Sequence, residues 1–371
     1  MALRDGARPK PRSTASAATV VVVLVALLVG FEIIARLLDG VGFMPRNFVA
    51  EKLSLVASGY PGAYDPALGY VPAPDYDGTP GSWNVRVTVG PRSLRDNAPG
   101  RPTPVPAAVV AAGGSYTFGD AVSDAHTWPA QLEGLLDQPV ANGGVFGYGL
   151  DQAVLRAEML AVEHRPLALV VGFVYDDVRR TQLVQNAGAE KPYFEVVDGR
   201  LELRNVPPSP DRPRVGQLGV VRTLLGYSYL ADWIARRADA TGWWYGPGFA
   251  EVQVHTDGQE VACLLMHRLR SVQESTGARV MVVAQYAARD LATPDDPRSV
   301  EDLTGTGRVL ECAATAGLIA VDTLPALRAR YRAGPTTFVG QYYVRAVPSA
   351  AGYRVVAEQV ADALARAYGG G

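Results

Sequence analysis

Five short apolar runs, at residues 107–112, 139–142, 167–174, 279–285 and 318–322, each lead into a loop and then toward a helix-length amphipathic segment. The amphipathic segments fall at 128–137, 151–164, 259–276 and 301–316, with a last one at 350–368. Strands buried on both faces and alternating with helices predict an α/β fold, a parallel sheet wound with helices on both sides. Ligand chemistry in such sheets collects at the carboxyl ends of the strands. With 48% hydrophobic and 19% charged residues, the chain has the material for a sizeable core.

The N-terminus carries a different signal. From Ser13 to Phe31 nineteen residues pass without a charge, and Ile33, Ile34, Leu37 and Leu38 extend the run past Glu32 and Arg36. Spanning a bilayer takes roughly 20 mostly apolar residues. Arg4, Arg8, Lys10 and Arg12 precede the run with only Asp5 against them, so residues 1–12 are expected in the cytoplasm and the main domain outside. No small-x-small site follows the run, which favours a single-pass anchor over a cleaved signal peptide. The expected organisation is a basic head at 1–12, a transmembrane helix at 13–38, a stalk with an irregular β cap at 39–104, and an α/β domain at 105–371. That domain is interrupted by an insertion at about 179–258. Within the insertion, residues 193–197 and 201–204 flank Asp198-Gly199 as a hairpin, residues 220–240 read as one apolar helix, and Trp243-Trp-Tyr245 forms an aromatic loop. An insertion at this edge is expected to cover the site.

A net charge of −2 leaves no basic footprint for nucleic acid. No His/Cys/Asp cluster has metal-ligand spacing, and no cofactor motif is present. Cys263 and Cys312 both fall in apolar helical segments and are expected as buried small side chains, not as a disulfide.

The chemistry lies in the strand-end loops. The first run ends in Gly113-Gly-Ser-Tyr-Thr-Phe-Gly119, where glycines let the backbone turn sharply and expose a serine beside free N–H groups. A phosphate loop would need Lys after Gly119, and Asp120 stands there. The second run ends in Asn142-Gly-Gly-Val-Phe-Gly-Tyr-Gly149, the third in Gly172-Phe-Val-Tyr-Asp-Asp-Val-Arg179, and the last helix opens with Val347-Pro-Ser-Ala-Ala-Gly352. These four blocks, in this order, resemble those of the SGNH (GDSL-type) serine hydrolases, most of all their membrane-anchored bacterial members, over about residues 105–368.

The resemblance implies a flavodoxin-like doubly wound sheet with Ser115 as nucleophile and an oxyanion hole formed by the N–H groups of Ser115 and Gly147 and a third donor at position 176. The family has Asn at that third position, and this chain has Asp176. The family's Asp before the serine is Gly114 here, and its Asp and His before the last helix are Arg345 and Val347. Neither of the last two can take a proton from a serine. His126 and His255 are the candidate substitute bases; Asp176 and Asp177 are weaker ones, unless they simply pair with Arg179 or Arg180. Two readings follow. One is a catalytically impaired relative that binds an acylated envelope glycan or a polysaccharide-modification partner. The other is an active esterase acting on carbohydrate or lipid esters with a relocated base. Both touch the lipid bilayer through the N-terminal helix.

Overall fold

The computed structural model describes residues 16–38, 43, 47–49, 62–80, 83, 85–186, 189–210, 219–238, 240–244, 256–344 and 347–369. His255, Arg345, Tyr245 and the basic head therefore lie outside the described residues. The chain opens with α1 (Ala17–Leu38), the one described helix long and apolar enough to cross a membrane.

Five strands form one parallel sheet: β1 (Val109–Gly113), β2 (Val140–Asn142), β3 (Ala168–Phe173), β4 (Arg279–Ala284) and β5 (Ile319–Asp322). Their order is β2-β1-β3-β4-β5. Val109 stands opposite both Val140 and Ala168, Ala168 opposite Arg279, and Met281 opposite Ile319. Strand order reverses between β1 and β3, which places the ligand crevice of such a sheet at the carboxyl ends of those two strands.

Side chains alternate across the sheet, so β1 to β4 each feed two cores, while β5, at the edge, gives Ile319 and Val321 to one. Val109, Ala111, Val170 and Met281 pack with α2 (Trp128–Leu136) and the last helix, α9 (Ala350–Gly369). Val110, Ala112, Val171 and Val282 pack with α3 (Leu150–His164), α6 (Gly258–Thr276) and α7 (Pro297–Thr315). Leu68, Tyr70, Val87, Val89 and Leu94 lie in this second core, so the cap before β1 is built into the domain.

Several helix ends follow from local chemistry. Thr127 caps α2 by accepting from the Ala130 N–H at 3.2 Å. Asp296 accepts from the Arg298 N–H at 2.9 Å with Pro297 next to it, and this starts α7 four residues before the expected position. The segment expected as one helix at 220–240 is broken into α4 (Gly219–Leu225) and α5 (Tyr229–Arg237). The break sits at Gly226, where a Cβ would run into the Asn47 side chain, and Ser228 restarts the helix by capping the Ala231 N–H at 3.1 Å. Two helices after β5, α8 (Leu324–Ala333) and Pro335–Tyr342, fall outside the expected elements; both open on prolines that read as loop signals. The hairpin Tyr193–Val197 with Arg200–Arg204 forms as expected, with Asp198 and Gly199 both at positive φ.

The cysteine expectation is overturned. Cys263 and Cys312 are half-buried and form a disulfide between α6 and α7, with their Cα atoms 5.2 Å apart. Apolar neighbours in sequence marked the contact between these two helices, and that same contact brings the sulfurs together. The aromatic loop divides: Trp244 is buried and donates to Asp232 at 2.9 Å, whereas Trp243 is 60% exposed.

Candidate active site

β1 ends at Gly113, and Gly114 caps a single helical turn, Ser115–Phe118, closed by Gly119 at φ +84° with its N–H on the Ser115 carbonyl at 2.7 Å. The turn presents Ser115 at its first position, partly exposed, while Tyr116, Thr117 and Phe118 are buried. Arg95, from the cap, holds the far end of the loop. Its guanidinium donates to the carbonyls of Phe118 at 2.7 Å, Gly119 and Val122 at 2.6 Å, and to the Asp124 carboxylate at 3.0 Å. Asp124 also accepts from the Thr88 N–H and hydroxyl at 3.2 and 2.8 Å. Arg95 and Asp124 are fully buried.

The second loop carries Gly147 at φ +73°, a left-handed conformation suited to glycine, and a Cβ there would stand 2.8 Å from the Tyr70 hydroxyl. That hydroxyl donates to the Phe146 carbonyl at 3.0 Å, and Asn186 Nδ2 donates to the Gly147 carbonyl at 2.6 Å. Just past the loop, Asp151 in the first turn of α3 pairs with Lys191 at 2.5 Å, both side chains fully buried. Among the described residues, the N–H groups of Ser115 and Gly147 have no acceptor. Two backbone donors without an acceptor among the described residues thus stand in the loops that follow the neighbouring strands β1 and β2.

The third loop does not complete an oxyanion hole. Asp176 pairs with Arg179 at 2.7 Å and Arg298 at 3.1 Å, and Arg289 stands 3.9 Å away. Burial alone would raise its pKa, but Arg180, Arg298, Arg179 and Arg289 together hold it below the ordinary carboxylate range. Asp176 is therefore ionised at neutral pH and accepts, but does not donate, hydrogen bonds. Behind it, Asp302 is buried and bonded to both Arg179, at 2.5 Å, and Arg289.

Asp177 explains Gly114. A Cβ at Gly114 would lie 2.8 and 2.9 Å from the two Asp177 oxygens, so the space that a side chain at position 114 would enter is filled from the third loop. Asp177 is held by Arg180 at 2.6 Å and by the Val174 N–H at 3.1 Å, and burial pushes its pKa up to about 7.

Among the described residues, the Ser115 hydroxyl has no hydrogen-bond partner, imidazole or carboxylate. His126 is exposed and bonded to the Ser123 hydroxyl at 2.8 Å. His164 is buried and takes the Ala107 N–H at 3.2 Å, and His267 is exposed on α6. Val347 is half-buried and pairs antiparallel with Val344 ahead of α9. The Arg95 clamp, the Asn186 contact and the exchange of Asp177 for a residue-114 side chain escaped sequence reasoning, because each joins segments far apart in the chain.

The buried carboxyls set a pH dependence. Burial raises Asp177 to about 7 and Asp290 to about 6. The folded protein therefore keeps protons that the unfolded chain has released above about pH 4, and stability falls as pH rises through about 4 to 7. Asp176 acts oppositely, but its contribution is lost only as the pH falls below the ordinary carboxylate range. The thermal midpoint of the detergent-solubilised protein should be several degrees higher at pH 5 than at pH 8, and Asp177→Asn should flatten that difference.

No family model and no curated protein matches the sequence. Among solved structures, the chain is similar to LAE5, an alpha/beta hydrolase enzyme from the metagenome of Lake Arreo, Spain. The TM-score is 0.42 at 13% identity, covering 70% of this chain and 95% of that one. It is also similar to a catalytic mutant of Axe2, an acetylxylan esterase from Geobacillus stearothermophilus (TM-score 0.38, 16% identity, 71% and 94% covered). A third is a putative lipolytic protein of the G-D-S-L family from Desulfitobacterium hafniense DCB-2 (TM-score 0.36, 12% identity, 69% and 98% covered). Each is a likeness of fold.

Proposed function

We propose that this chain is a membrane-anchored, extracytoplasmic relative of the SGNH hydrolases that binds the acyl group of an acylated envelope glycan without cleaving it efficiently. The observation that carries the reading is a serine and two N–H donors without acceptors in neighbouring strand-end loops, with no hydrogen-bonded base among the described residues. An unactivated serine is a poor nucleophile, whereas paired N–H groups still donate to an ester carbonyl oxygen. Ionised Asp176 adds a charge that an oxyanion would meet unfavourably. The placement outside the membrane is supported by the basic residues ahead of α1 and by the disulfide, a bond that persists in oxidising compartments.

Calorimetric titration with an O-acetylated xylan fragment and its deacetylated form tests the reading. The acetylated ligand should bind about tenfold more tightly, the worth of one or two hydrogen bonds, with its acetyl content unchanged afterwards. Gly147→Ala should remove that preference. Equal affinities would contradict the reading, and acetate release abolished by Ser115→Ala would establish the esterase instead.

A further inference from the structure

The helical half of the insertion is fastened to the C-terminal part of α1. Glu32, two turns before the end of that helix, accepts from the Ser228 hydroxyl at 2.8 Å and from the N–H groups of Tyr229 at 2.9 Å and Leu230 at 2.8 Å, capping α5 from another element. Arg36 donates to Glu32 at 2.6 Å and lies over the Phe48 ring at 5.3 Å. Behind it, the Phe48 N–H bonds the Gly226 carbonyl at 2.7 Å, and Ala35, Phe48 and Tyr229 form a small core separate from the two that flank the sheet.

This attachment fixes a height. The 22 residues of α1 extend about 33 Å at 1.5 Å per residue, about the thickness of a bilayer's hydrocarbon. The uncharged run closes at Phe31, so the charged pair Glu32 and Arg36 marks the outer boundary of the hydrocarbon when α1 spans. α4, which ends at Leu225 next to this junction, exposes Val220 (76%), Val221 (62%) and Leu224 (67%), with Trp243 (60%) tied to the same helix by the bond from Arg222 to its carbonyl at 3.0 Å. Large exposed apolar patches mark interaction surfaces, and tryptophan is enriched at the membrane–water boundary.

We propose that α4 and Trp243 form a second, interfacial contact with the bilayer, dipping into the headgroup–acyl boundary beside α1 and setting the height of the α/β domain above it. Continuity with the spanning helix selects lipid as the occupant. The proposal rests on the reading of α1 as a membrane span, and the experiment separates the two.

Single cysteines are introduced as Leu224→Cys, Val221→Cys, Val25→Cys in α1 and Glu202→Cys on the exposed hairpin, in the full chain, leaving the native disulfide intact. Each is spin-labelled in phosphatidylcholine nanodiscs, and collision with oxygen is compared with collision with a water-soluble nickel chelate. The account expects oxygen to exceed nickel several-fold at Leu224 and Val221, as at Val25, with the reverse at Glu202. Nickel access at Leu224 and Val221 with lipid access at Val25 would overturn the interfacial contact and leave the anchor standing. Nickel access at Val25 would overturn both. Shielding of Leu224 and Val221 from both agents would show a protein surface covering the face, and so would also overturn the proposal.

Discussion

Arg95→Ala is expected to lower the stability of the protein by about 3–5 kcal/mol, the usual cost of leaving a buried charge without its partner. Asp124 would keep only Thr88, and the carbonyls of Phe118, Gly119 and Val122 would lose their shared donor inside a closed core. For a chain of this size such a loss moves the thermal midpoint by on the order of 10 °C. Arg95→Lys should recover only a small part, because an ammonium cannot reproduce the planar fork that reaches several acceptors at once. Those carbonyls also form the far side of the serine turn, so the variant should weaken ligand binding even where it remains folded. Thermal unfolding followed by circular dichroism, alongside ligand titration, checks both expectations. A midpoint within a degree or two of the parent would contradict the clamp.

Lys191→Met is the second large effect. It leaves the fully buried Asp151 carboxylate facing an apolar side chain, and the Arg180 and Leu183 carbonyls lose bonds of 3.2 and 3.1 Å. The expected cost is again about 3–5 kcal/mol. Asp151→Leu alone should cost a comparable amount by stranding the ammonium. The double variant should be more stable than the sum of the two losses predicts, because no unpaired charge remains; a double-mutant cycle reads this coupling directly. The pair ties the start of the insertion to the first turn of α3, immediately beyond the Gly147 loop, so its removal should also loosen the donor at Gly147. Additive losses would show that the two side chains act independently.

These two pairs also show where sequence reading stops. The alternation of apolar runs and amphipathic segments places all five strands of the parallel sheet, because each signal is local and periodic: a strand at 279–284 or a helix at 259–276 announces itself within its own residues. The serine loop was legible for the same reason, since two glycines ahead of Ser115 and one after it specify a turn without reference to the rest of the chain. What Gly114 means was not legible. It looks like the loss of a carboxylate until the structure shows Asp177, 63 positions later, filling the space. Arg95 with Asp124, Lys191 with Asp151 and Cys263 with Cys312 are likewise products of tertiary packing between distant segments. The insertion differs in a further way: the apolar stretch expected as one helix at 220–240 is broken at Gly226 and Ser228, and Glu32 of α1 caps the new helix start.

The central claim is the proposal that Ser115 keeps its setting without an activating base, as it stands among the described residues. The direct measurement is labelling of the detergent-solubilised protein with a fluorophosphonate probe, together with p-nitrophenyl acetate turnover, for the parent and for Ser115→Ala. The account predicts no labelling above background and turnover that is the same in both proteins. Labelling and turnover that both disappear with Ser115→Ala would contradict it.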